Sequence, residues 1–126
     1  MADLDDAQVT YVVCVPAAPC GAVARTVLDA SGVTAAAASE EVDVKAVLAK
    51  VTLDEADAGL VYATDAMAAG DAVTTVEVPA AEDAVTRYPL AALTEADDPG
   101  LAADWVELVL SEEGLQVLRD AGFGPP

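Results

Sequence analysis

Residues 9–15 read Val-Thr-Tyr-Val-Val-Cys-Val, and this run constrains the fold more than any other. A continuous apolar stretch rich in β-branched residues is the pattern of a strand covered on both faces, as in a parallel sheet flanked by helices. Pro16-Ala17-Ala18-Pro19 ends it. Cys20-Gly21 then opens a helix that runs to about Ala30, with Val23, Val27 and Leu28 as its buried stripe and Gly32 as its C-terminal cap.

The same alternation continues. Residues 35–38 suggest a short strand. Asp43 is the expected N-cap of a second helix, in which Val44, Val47, Leu48 and Val51 fall at i, i+3, i+4 and i+7. Glu40 and Glu41 lie just upstream; they suit the helix dipole but oppose an external anion. Residues 59–62 (Gly-Leu-Val-Tyr) form a third apolar run between an acidic turn, Asp54, Glu55 and Asp57, and the polar pair Thr64-Asp65. That is a buried strand whose carboxyl end opens at a surface, which is where open α/β sheets hold ligands. Tyr62 stands at that end, either as a ligand donor or as a core residue with a satisfied hydroxyl.

A short helical turn to Gly70 follows, then an edge strand over 73–78, a polar connector over 80–86 and an extended segment over 88–93. Two helices close the chain. Asp98-Pro99 starts the first, with an apolar face of Leu101, Trp105, Leu108 and Val109. Ser111-Glu112-Glu113 starts the second, with Leu115 and Leu118 inward and Gly122 at its end. The fold class is α/β: a three-layer lobe with a mostly parallel sheet over residues 1–89, followed by a crossover segment and two C-terminal helices over 90–126.

Composition narrows the function. Five Lys and Arg stand against 23 Asp and Glu, for a net charge of −18. Binding to nucleic acid through backbone neutralisation is effectively excluded, and an acidic membrane surface repels such a chain. The acidity reads first as a solvated surface. No Asp-x-Asp-x-Asp-Gly calcium loop is present. The absence of histidine removes Ser-His-Asp and Cys-His catalysis and histidine-ligated metals. No enzymatic activity and no cofactor are expected. Cys14 and Cys20 lie six apart and form no CxxC; a local disulfide and two small buried thiols both remain open. The first residues, Met1-Ala2-Asp3-Leu4-Asp5-Asp6, are acidic where a signal peptide is basic. Hydrophobic residues make up 55%, enough for a real core, but much of that is Ala and Val and only five residues are aromatic, so the core should be built of small side chains.

Without a basic cluster, an anion has to be held by neutral donors. The helix starts at Cys20-Gly21 and at Val44 present free peptide N–H groups, and Tyr62 adds a hydroxyl. Ordinary helix caps in a structural domain account for the same spacing.

Several motifs resemble the molybdate-binding proteins of ABC transporters, which are extracytoplasmic receptors for molybdate and tungstate. The matching pieces are residues 15–23 with Pro19-Cys20-Gly21, and Ser39-Glu40-Glu41-Val42-Asp43-Val44-Lys45-Ala46-Val47-Leu48. The most specific is Glu55-Ala56-Asp57-Ala58-Gly59-Leu60-Val61-Tyr62-Ala63-Thr64-Asp65. Arg87-Tyr88-Pro89-Leu90-Ala91, Leu110-Ser111-Glu112-Glu113-Gly114 and Ala121-Gly122-Phe123-Gly124-Pro125 follow in family order. The resemblance implies a periplasmic-binding-protein-like lobe, an oxyanion clasped by Cys20, Gly21, Val44 and Tyr62, and an ABC transporter permease as partner. Cys20 stands where many members have Ala, an exchange a peptide donor tolerates. Members are about twice this length, and their first lobe supplies serine-type donors to the far side of the anion. Residues from about 90 onward then lack their usual partner, and self-association through Trp105, Leu108, Val109, Leu115 and Leu118 is one expected consequence. An extracytoplasmic location of the full-length parent is implied in the same way.

Overall fold

Strand β1 (Tyr11–Cys14) is the centre of a three-stranded parallel sheet of order β2-β1-β3, in which β2 is Ser39–Glu41 and β3 is Ala58–Gly59. The computed structural model describes residues 1–126. All four residues of β1 are buried, as a strand covered on both faces must be. Its side chains alternate between two apolar clusters. Tyr11 and Val13 join Leu4 and Ala24 on one face, and Val12 and Cys14 join Val47 and Ala56 on the other. Helix α1 (Pro19–Ala30) supplies Ala24 and Leu28 to the first face, and α2 (Val44–Thr52) supplies Val47 and Val51 to the second. The result is the expected three layers of helix, sheet and helix.

The register is set by β1. Val12, Val13 and Cys14 pair with Ser39, Glu40 and Glu41, and Tyr11 and Val12 pair with Ala58 and Gly59. Strand β2 therefore lies in the polar Ser-Glu-Glu stretch, not over 35–38. Residues 35–38, expected as a strand, run instead as loop, with the Ala35 carbonyl taking the Tyr11 hydroxyl and the Ala38 N–H bonding the Tyr11 carbonyl. Burial pushes the Tyr11 phenol up in pKa, with the nearby Asp5 charge adding to it. Strand β3 ends at Gly59 rather than Tyr62. Gly59 fits because α2 lies directly over it: a Cβ there would meet Val47 at 2.8 Å and Val51 at 3.1 Å.

Helix α3 (Ala63–Ala69) follows, packs beside α2 and runs into a 3-10 turn at Gly70–Ala72. The edge strand expected over 73–78 is absent. Val76 is 71% exposed, and no strand lies alongside to take up its ladder bonds. Residues 88–93 likewise pair with no strand.

Several acidic residues hold loops instead of merely facing water. The Asp5 carboxylate accepts the Thr34 and Ala35 N–H groups at 2.8 and 2.7 Å, and Asp57 accepts the Thr10 N–H at 2.7 Å. These peptide donors hold the Asp5 carboxyl below its ordinary pKa.

The chain divides into two units, Met1–Thr86 and Arg87–Pro126. The second consists of α4 (Pro99–Leu110), α5 (Glu112–Asp120) and the segment leading into them. Asp98 caps α4 by accepting the Leu101 N–H at 2.9 Å, and Ser111 caps α5 by accepting the Gly114 N–H at 3.2 Å. Gly122, at φ +90, ends α5. Tyr88 and Phe123 meet edge to face, with ring centroids 6.0 Å apart.

Candidate functional site at the carboxyl ends of the strands

The three parallel strands all point the same way, so the segments that leave their carboxyl ends emerge on one edge of the sheet. From β1 the chain turns through Val15 to Ala18 into α1; from β2 it turns into α2; from β3 it passes Leu60 and Val61 to reach α3. Cys20 is the second residue of α1, Val44 the first of α2, and Tyr62 the N-cap of α3.

Cys20 and Val44 pack against the same cluster of Val12, Cys14, Val47 and Ala56, as does Val61, the neighbour of Tyr62. A disulfide joins Cys14 at the end of β1 to Cys20. It resolves the alternative that the spacing leaves open, and it carries the start of α1 onto the α2 face of the sheet. The peptide N–H groups of Cys20 and Val44 donate to no protein acceptor. At α2, Asp43 takes the Ala46 N–H through its side chain at 2.9 Å and the Val47 N–H through its carbonyl at 3.2 Å, which leaves Val44 and Lys45 at the helix end.

Gly21 differs from the other sequence-derived candidates. Its N–H donates to the Ala18 carbonyl at 3.0 Å. Its missing side chain matters more, because a Cβ there would lie 2.0 Å from the Val15 carbonyl oxygen and 2.6 Å from that of Cys14. Gly21 lets α1 close onto the end of β1 and so places Cys20.

Tyr62 is half-buried. Its N–H donates to the Asp65 carboxylate at 3.2 Å, which fixes the backbone at the entry to α3. Thr86 Oγ1 donates to the Tyr62 hydroxyl in a long contact of 3.4 Å. A phenol that accepts one hydrogen bond keeps its own proton to give. Thr86 was hidden in the sequence inside a polar connector; its only signal is its place beside Arg87-Tyr88-Pro89.

Two nearby carboxylates are engaged elsewhere. Glu40 lies 3.8 Å from Arg25, and Glu41 accepts the Ser39 hydroxyl at 2.7 Å. No group of His, Cys, Asp and Glu is placed to hold a metal. A groove of about 530 Å³ lies between α1 and residues 35–40. Neither Val44 nor Tyr62 lines it, and its charged residues are Arg25, Asp29 and Glu40.

The profile of the family described as bacterial extracellular solute-binding protein matches residues 1–124. The chain belongs to that family. It is 40% identical over 125 residues to the molybdate-binding protein ModA of Mycobacterium bovis, and equally to that of Mycobacterium tuberculosis. The aligned region is 99% of this chain and 48% of each relative, so the chain spans about half the length of the curated relatives it matches. No solved structure matches significantly. An α/β lobe with a small parallel sheet and five α-helices is the architecture that the family assignment leads one to expect.

Proposed function

We propose that this chain is one lobe of an ABC-transporter receptor for molybdate or tungstate, and that it binds the oxyanion through neutral donors without acting on it chemically. The observation that carries the proposal is the pair of unpartnered peptide N–H groups, Cys20 and Val44, packed on one apolar cluster at the carboxyl ends of parallel strands. The ModA relatives supply the ligand class. A tetrahedral dianion lacks a proton at neutral pH and accepts hydrogen bonds only, so it suits a site built from N–H and O–H donors. The Tyr62 hydroxyl is the third donor, and Gly21 serves by allowing the approach of α1. Selectivity comes from cavity size and donor number.

The relatives are about twice as long, and the other side of the anion belongs to the half this chain does not span. Binding by this chain is therefore far weaker than by a whole receptor. In the full-length protein the receptor works outside the cytoplasm and delivers its ligand to a permease; the Cys14–Cys20 disulfide fits an oxidising compartment. Calorimetry with molybdate on the wild type and on Tyr62→Phe tests the reading. Loss of one hydrogen bond to a charged acceptor weakens binding about tenfold. Equal affinity of the two proteins would remove Tyr62 from the site.

A second reading is favoured by the exposed face of the second unit, where Leu101, Trp105 and Leu108 are 50% exposed or more. On this reading the helices form an association surface for a second copy. Sedimentation would detect it as a concentration-dependent dimer, and a monomer at high concentration would defeat it.

A further inference from the structure

Cys14 is the last residue of the central strand and is 2% exposed; Cys20 is the second residue of α1 and its N–H has no protein acceptor. The disulfide between them closes a ring of residues 14–20 that contains Pro16 and Pro19. So short a ring, already stiffened by two prolines, removes little entropy from the unfolded chain, since that effect grows with ring length. Its consequence is local. The bend itself is secured without it: the Val15 N–H bonds the Glu41 carbonyl at 2.7 Å, and the Ala18 N–H bonds the Val15 carbonyl at 3.0 Å. The first peptide of α1 after Pro19 has no such tie. It is held by the sulfur bridge and by the contact of Gly21 with the end of β1.

We propose that the Cys14–Cys20 disulfide is a positioning element for the oxyanion: it fixes the Cys20 peptide N–H against the end of β1, in the same apolar cluster that seats Val44. This rests on the oxyanion-binding reading above. An alanine at position 20 keeps the donor and loses its fixing, so the bridge changes affinity without changing the number of donors.

The test compares three forms by calorimetry with molybdate at 25 °C: the oxidised chain, the chain reduced with a phosphine that is then removed anaerobically, and the Cys14→Ala/Cys20→Ala variant. Circular dichroism checks that each is folded. Both unbridged forms are expected to bind about tenfold more weakly than the oxidised chain, the loss of one well-aligned hydrogen bond to an anion. Val51→Ala, on the same cluster but remote from the donors, is expected to lower the melting temperature and leave the dissociation constant unchanged. Equal affinity across the three forms would overturn the positioning role while leaving the oxyanion reading intact. Unfolding of both unbridged forms would also overturn it, making the bridge a requirement of the fold. If the oxidised chain gives neither heat nor a shift in melting temperature with molybdate or tungstate, the functional reading itself falls, and this inference with it.

Discussion

The two units of this chain solve the problem of a small-residue core differently. In Met1–Thr86 most of the buried apolar residues gather in two clusters, one on each face of β1. Apart from Leu4 and Tyr11 they are Val, Ala and Cys, and close packing takes the place of bulk, as Gly21 and Gly59 show. In Arg87–Pro126 the helices are as well capped, yet no side chain is fully buried, and the one tryptophan is 60% exposed. Caps and turns specify helices locally; only a second surface on which to lay an apolar face turns them into a core. The first unit has that surface in its sheet, and the second carries its largest side chains in the open.

The most severe way to break this comparison is at its glycines. Gly21→Ala puts a Cβ into backbone that cannot retreat, and should cost about 3 kcal/mol or more of the first unit's stability. Gly114→Ala meets backbone at similar range, 2.4 Å from the Leu108 carbonyl oxygen. There the expected damage is confined to the α4–α5 junction, with the first unit's melting unchanged. Thermal denaturation followed by circular dichroism distinguishes the two.

A milder contrast removes side chains. Val47 is 0% exposed, and Val47→Ala should destabilise the first unit by roughly 2 kcal/mol through lost burial and a residual cavity. Trp105→Ala removes far more surface but little buried area, and should change the stability of the isolated chain by about 0.5 kcal/mol or less. Urea titrations of both variants check this. A large loss from Trp105→Ala would show that the exposed face is covered in solution.

The smallest effect concerns pH. Asp5 is held below its ordinary pKa by the Ala35 and Thr34 N–H groups. Its folded pKa is depressed, so its contribution is fully present above the unfolded value and fades as pH falls through the folded one. The stability gap between wild type and Asp5→Asn should therefore be widest near neutrality and close in acid. A gap independent of pH would mean that the carboxylate's charge plays no part.

The sequence was most legible where burial and capping speak together. The run through β1 announced a doubly covered strand, Asp43 announced α2, and Asp98 and Ser111 announced α4 and α5. It misled where polarity and pairing part company. Strand β2 is Ser-Glu-Glu, which no apolar pattern reveals, because its ladder partners on β1 rather than its side chains decide the pairing. Residues 73–78 alternate only weakly and have no neighbour to pair with. At the candidate site, Cys20, Val44 and Tyr62 could be placed by their position at strand ends. The contact of Thr86 with Tyr62 spans 24 residues and leaves no local trace. The spacing of Cys14 and Cys20 permitted a bridge without requiring one.

The proposed receptor function depends on peptide hydrogens at the carboxyl ends of parallel strands receiving an oxyanion. The most direct measurement is a titration of the isotopically labelled chain with molybdate, followed through its amide resonances. Shifts concentrated at Cys20 and Val44, saturating together with those around Tyr62, are the predicted result. Saturating shifts elsewhere, with Cys20 and Val44 unmoved, would contradict it.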